Sequence, residues 1–233
     1  MKRQLVSAAC GLWIGFASAV AAQTQPVLVE LYTSQGCSSC PPADEFMAHL
    51  AKDPNVIALS LHVDYWDYIG WKDTFANPQF TQRQKSYARA IGSRTIYTPQ
   101  MIVNGKDRVE GNDPLEVSDK VRTHMAAHSP VTLSVTRKNG KVYITATATP
   151  PLTRKARVQV VRYLPSETVQ IGRGENAGRA VTYHNVVTSW QSVGDWAGTG
   201  PLDMQADVPG GDPVVVIIQS DGPADVLAVA RLK

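Results

Sequence analysis

Cysteine is nearly absent from this chain: its 233 residues contain three, Cys10, Cys37 and Cys40. With a single C-x-x-C pair, zinc sites that draw on two such pairs are excluded. Internal repeats and low-complexity tracts are missing as well, which excludes solenoids and linker-rich architectures. Charge bias is also lacking. Setting residues 1–22 aside removes Lys2 and Arg3 from the 23 basic residues and none of the 20 acidic ones, so the formal +3 falls to +1. So small a balance gives no footing for nucleic acid or an anionic membrane surface. No cofactor motif stands out. The stretch Gly172-Arg173-Gly174-Glu175-Asn176-Ala177-Gly178 is glycine-rich, but no helical period follows it, so it reads as a long loop and not a phosphate cradle.

What is present begins with an export signal. Lys2 and Arg3 precede an uncharged apolar run from Leu5 to Val20, closed by small residues up to Ala22. A basic start, a short apolar centre and an A-x-A-like end describe a secretory signal peptide over residues 1–22. The apolar centre is short for a membrane span, which needs about 20 residues. The expectation is an exported protein, periplasmic or secreted, with no membrane insertion after the signal is removed. Cys10 leaves with the signal. Cys37 and Cys40 then face an oxidising compartment, where they sit as a disulfide unless something keeps them reduced.

The remaining chain has two textures. Over residues 26–128, apolar strands alternate with helical periods. Val27 to Tyr32 reads as a buried strand, and Ala43, Phe46, Met47, Leu50 and Ala51 share one face of an amphipathic helix. Val56 to Val63 is a second strand. Asn77-Pro78 caps a second helix that Gly92 stops, and Asn104-Gly105 turns a hairpin between residues 100–103 and 107–110. Asp113-Pro114 with Glu116 opens a last helix carrying Val117, Val121 and Met125. Residues 130–233 instead give seven or so short strands parted by Gly, Pro and Asp clusters, which points to a β-sandwich, with Ser129-Pro130 as the boundary.

The chemistry concentrates at Cys37-Ser38-Ser39-Cys40, directly after a buried strand and before a helix. Thiol–disulfide exchange needs one thiolate to attack and a second within reach to resolve the mixed disulfide. A strand end projects the first sulfur, and unpaired N–H groups at a helix start favour its thiolate. Cys37 is the expected attacking residue and Cys40 the resolving one. A plain structural disulfide is the bland alternative, but so short a loop constrains the unfolded chain weakly. Pro41 and Pro42 belong in a first helical turn, which sets Cys37 further from the helix N–H groups. A third reading adds His62, at the end of the second strand, to the two sulfurs as a soft-metal set suited to copper or zinc.

The run Val29-Glu30-Leu31-Tyr32 followed by Cys37-x-x-Cys40, then Thr98-Pro99 and an Asn-Gly hairpin, resembles the thioredoxin fold. With His62-Val63-Asp64-Tyr65-Trp66-Asp67 downstream, it is similar to an uncharacterised family of exported bacterial thioredoxin-like proteins that carry a C-terminal β-rich domain. The resemblance implies an α/β thioredoxin-like domain (βαβ-α-ββα) over 26–128 and an all-β sandwich-like domain over 130–233. It implies that Pro99 is cis and lies against the disulfide, and that Thr98 offers its backbone to a client. It also implies that Glu30, the one charge inside an apolar strand, relays the proton of Cys40. The expected activity is thiol–disulfide oxidoreduction on protein or small thiol clients through a transient mixed disulfide, with a separate partner recycling the pair and no cofactor. The alternative is copper binding or delivery through Cys37, Cys40 and His62, an arrangement similar to exported copper-delivery proteins of this fold.

Overall fold

The computed structural model describes residues 25–222 and 224–232; the expected signal peptide, with Cys10, lies outside the described residues. The central strand β1 (Val27–Thr33) is buried along its whole length. It can be so because it is flanked on both sides, by β2 (Val56–His62) in parallel and by β3 (Gln100–Val103) in antiparallel pairing. Strands covered on both faces read as continuous apolar runs and not as alternating ones, which is the pattern of Val27 to Tyr32. β3 turns into β4 (Asp107–Glu110) through Asn104 and Gly105, both at positive φ (51° and 74°). Lys106 N–H bonds the Val103 carbonyl at 3.0 Å, closing a turn whose two central residues need those conformations. At Gly105 a side chain is also barred by packing, since a Cβ there would stand 2.3 Å from the Ala224 carbonyl oxygen.

Three helices cover this part of the sheet. α1 (Pro41–Leu50) and α3 (Pro114–Ala126) lie on one face, where Ala43, Met47, Val117 and Val121 pack against Val29, Leu31 and Ala58. α2 (Pro78–Ala90) lies on the other, burying Phe80 and Tyr87 against Leu28, Tyr32 and Leu59. Odd-numbered β1 residues therefore look to α1, and even-numbered ones to α2. Asn77 and Asp113 accept from Gln79 N–H and Glu116 N–H at 2.9 Å each, capping α2 and α3 as expected. No helix among the described residues is long and apolar enough to cross a membrane.

The second half does not stand apart. β5 (Val131–Lys138), β6 (Lys141–Ala148) and β9 (Leu202–Asp207) form a separate three-stranded antiparallel sheet. β7 (Ala156–Gln170), β8 (Ala180–Trp196), β10 (Val214–Ser220) and β11 (Val226–Leu232) instead extend the first sheet to eight strands, in the order β11-β10-β7-β8-β2-β1-β3-β4. The seam is β2 against β8, parallel at Ser60–Val186. There the Asn185 amide donates to the Ala58 carbonyl and the Ser60 hydroxyl to the His184 carbonyl, each at 2.8 Å. Ser129-Pro130 thus marks a change of texture along the chain and no break in the sheet. The cause is the apolar outer edge of β2, which cannot be left as an open edge. One core accordingly mixes Leu59 and Leu61 with Val161, Val187, Val215 and Ile217. Only the far end is a two-sheet sandwich, with Val142, Ile144 and Leu202 facing Val158, Val160, Val214 and Val216.

One strand outruns its sequence pattern. Leu164-Pro165 reads as a stop because proline cannot donate to a ladder, yet β7 continues to Gln170. The ladder steps from Leu164–Val186 to Ser166–His184, leaving Pro165 without a partner residue opposite the left-handed Asn185 (φ 49°). The β7–β8 hairpin gains several residues in this way, and its tip, residues 171–179, reaches the cysteine loop.

Candidate functional site

After β1 the chain leaves the sheet through Ser34-Gln35-Gly36 and arrives at Cys37, which is disulfide-bonded to Cys40. Two turn bonds close the loop, Cys37 N–H to the Ser34 carbonyl (3.1 Å) and Cys40 N–H to the Cys37 carbonyl (3.2 Å). Cys40 is the N-cap of α1 and its carbonyl accepts from Ala43 and Asp44 N–H. Pro41 and Pro42 fill the first turn, whose N–H groups have no partner inside a helix anyway. Both sulfur-bearing residues are buried, Cys37 at 2 % and Cys40 at 0 % exposure, while Ser38 and Ser39 between them are exposed.

Thr98 and Pro99 do come to the cysteines. The peptide between them is cis, and Ser39 Oγ donates to the Thr98 carbonyl at 3.4 Å. Gly111 N–H bonds the Pro99 carbonyl at 3.0 Å. A Cβ on Gly111 would sit 2.7 Å from Pro99 Cβ and 3.2 Å from Ala43 Cβ, so the proline ring is packed close to the start of α1 and only glycine fits opposite it. Trp66 Nε1 donates to Thr98 Oγ1 at 2.7 Å.

Beneath the motif lies a buried polar cluster on the α1 face of the sheet. Thr33 and His62 are cross-strand partners at the ends of β1 and β2. His62 Nδ1 bonds Asp73 Oδ2 at 2.7 Å, and the same oxygen accepts the Gln35 N–H at 2.8 Å. Burial works to raise the Asp73 carboxyl, but the His62 ring and the N–H groups of Gln35 and Phe75 overcome it and hold the group below the usual carboxylate range. Asp44, buried in the first turn of α1, behaves oppositely: desolvation drives its carboxyl up to about 7, against the opposing pull of the His62 ring. Thr33 Oγ1, Asp44 Oδ1 and His62 Nε2 are all buried without a hydrogen-bond partner.

Two sequence-level roles require correction. Glu30 is an even-numbered β1 residue and faces α2, away from the cysteine helix. Its carboxylate takes a two-pronged bond from Arg83 (2.7 and 2.8 Å) and the hydroxyls of Tyr87 (2.7 Å) and Tyr32 (3.0 Å). Its oxygens are committed to that network, so it is not placed to serve Cys40. The three-ligand metal set is not assembled either: His62 is held by Asp73, and among the described residues no three His, Cys, Asp or Glu side chains gather in a way that could hold a metal ion.

Residues 28–219 match the family described as "Protein of unknown function (DUF1223)". The chain belongs to this family. A crystal structure of a protein from Agrobacterium tumefaciens is similar to this DUF1223 chain, with 32 % identity, a TM-score of 0.77, and coverage of 91 % of this chain and 96 % of that one. HBP35 of Porphyromonas gingivalis shares the fold at 12 % identity and a TM-score of 0.68, over 90 % of this chain and 75 % of that one. No curated protein matches.

Several residues around the DUF1223 motif escape sequence reading. Gln35, fully buried, is pinned by Trp71 Nε1 to its Oε1 (2.8 Å) and by its own Nε2 to Thr74 Oγ1 (3.0 Å). Asn176, from the β7–β8 tip, donates through its amide to the carbonyls of Gln35 (3.0 Å) and Cys37 (2.9 Å). Nothing local marks Asn176, which lies 139 residues from Cys37. Asp44 did leave a signal: it falls inside the buried helical stripe of Cys40, Ala43, Met47 and Leu50, where a carboxylate is costly.

Proposed function

We propose that this protein is an exported thiol–disulfide oxidoreductase of thioredoxin-like fold, acting through Cys37 and Cys40. The observation that carries the reading is the placement of the disulfide: it caps a helix at the end of a central strand, with Thr98-Pro99 bonded to its loop. Such a pair has one sulfur at the loop end for attack and a second in the helix cap to leave. In the oxidising direction a client thiolate bonds to Cys37 Sγ and the Cys37–Cys40 bond breaks. Cys40 leaves as a thiolate and takes a proton. A second client thiolate then displaces Cys37, so the client gains a disulfide and the pair is left as two thiols. The reverse sequence reduces a client. The basic-apolar-small pattern of residues 1–22 supports export. The parallel β1–β2 pair, the antiparallel β3–β4 hairpin and helices on both faces support the fold reading.

The reduction potential of the Cys37–Cys40 pair, equilibrated against glutathione or dithiothreitol buffers, tests the proposal. A value between about −120 and −270 mV is expected of a working exchange catalyst, and one below about −300 mV would make the bond a structural staple.

A further inference from the structure

Attack on a disulfide requires a nucleophile to reach one sulfur, so access governs the rate alongside thiol chemistry. Here the access is closed. Cys37 is 2 % exposed although its neighbours Ser38 and Ser39 face solvent. A segment from the far half of the chain packs on the loop that carries Cys37. Residues 171–179 form a tip held together by its own bonds, Ile171 N–H to the Arg179 carbonyl (2.9 Å) and Gly178 N–H to the Ile171 carbonyl (2.7 Å). The end of the arm behind it, residues 165–168, is exposed. Within the tip two residues, Ile171 and Asn176, are buried. The Asn176 amide bridges the carbonyls of Gln35 and Cys37, and beside it Gly172 and Gly174 lie against Trp71, where an added Cβ would come within 3.3 and 3.2 Å.

From this geometry, and resting on the exchange reading above, we infer that Asn176 is a positioning residue that gates Cys37: its amide latches the β7–β8 tip onto the cysteine loop, and exchange proceeds when the tip lifts. A two-stranded arm whose tip buries two side chains, Ile171 and Asn176, is a unit of the kind that opens locally. The latch is also held only moderately. Asn176 Oδ1 is buried with no partner, an unmet acceptor whose desolvation offsets part of what the two amide bonds contribute. The underside of the tip carries the Asn176 amide, with Gly172 and Gly174 against Trp71 beside it.

A gate and a structural strut differ in one readout. Opening a gate speeds reduction and reoxidation together and leaves the equilibrium between them in place. A strut that favours one redox state moves the potential. The test measures, for the full exported chain, the rate of disulfide reduction by dithiothreitol, the rate of reoxidation by oxidised glutathione, and the potential. Asn176→Ala removes both amide bonds, so both rates are expected to rise about tenfold or more. Asn176→Asp sets a carboxylate against two carbonyl oxygens and should open the tip further. Replacing residues 171–179 by an Asn-Gly turn, which keeps the Gln170–Ala180 pair, gives the same answer should the point variants fail to fold. The potential should shift by less than the ~30 mV of a tenfold change in equilibrium constant. Rates within twofold of the parent, or acceleration in one direction with a shifted potential, would overturn the gate while leaving the exchange proposal intact. A parent potential below about −300 mV with faster exchange in the variants would sink the exchange proposal and keep the gate.

Discussion

Replacing Arg83 by methionine will destabilise the protein by about 3–5 kcal/mol, the cost of leaving one member of a buried ion pair alone. Arg83 reaches from α2 to Glu30 in the middle of β1, with two short bonds to the carboxylate. Burial alone would depress the guanidinium, but the Glu30 charge outweighs it and holds Arg83 above its ordinary value. The indole of Trp190 stacks on the guanidinium at 3.8 Å, a cation–π contact. Gln159 accepts from its Nη1 at 3.3 Å, and Gln219 from the same Nη2 that bonds Glu30, at 3.2 Å. The pair thus ties α2, β1, β7, β8 and β10 into one network. Glu30→Gln tests the other partner: it keeps the shape and strands a buried positive charge, so its loss should approach that of Arg83→Met. Urea denaturation of the two single variants measures both. A loss under about 1 kcal/mol for either would mean that the pair is screened like a surface one. Exchange kinetics at Cys37 should be the same in any folded Glu30 variant, because the carboxylate looks away from the cysteine helix.

The misreading of Glu30 shows which parts of this molecule a sequence discloses. A lone charge in an apolar strand correctly signals a buried carboxylate with a partner. Its direction follows from strand parity, but which face holds which helix is decided only when α1 and α2 dock on opposite sides. Arg83 lies 53 residues downstream and leaves no trace near Glu30. Short-range features are legible for the opposite reason. The Asn104-Gly105 turn, the Asn77 and Asp113 caps and the apolar stripe of α1 are each set by chemistry within four residues. The continuity of the sheet lies at the other extreme. β2 and β8 meet at Ser60 and Val186, and neither strand carries a pattern that names the other. The contact of the β7–β8 tip with the cysteine loop inherits that difficulty, since it exists only because β8 joins β2 and the β7 ladder continues past Pro165. Thr98 and Pro99 were placed beside the motif by resemblance, and their geometry depends on Gly111, whose missing side chain makes room for the proline ring.

Asp44 carries the second large effect, and its sign is opposite to that of most carboxylates. Desolvation raises its folded-state pKa to about 7 from the ordinary 3.8, so the folded chain keeps a proton that the unfolded chain has released. Between about pH 4 and pH 7 the folded state therefore binds more protons at this site, and stability falls as pH rises through that interval. Below the unfolded value the group is neutral in both states and costs nothing. Above the folded value it is charged in both, and the full penalty, roughly 4 kcal/mol, is present. The neighbours fix this outcome. From the sheet His62 favours the charged form, while Asp73 opposes it, and Asp44 Oδ1 finds no hydrogen bond to compensate. Asp44→Asn keeps the volume and removes the titration. Its stability should match the parent near pH 4 and exceed it by several kcal/mol at pH 8, the excess growing steadily between. Thermal or urea unfolding of both proteins at each pH measures the difference directly. A gap that is the same at pH 4 and pH 8 would mean that Asp44 titrates as it does in water and that its burial is relieved by water entering beneath Cys40.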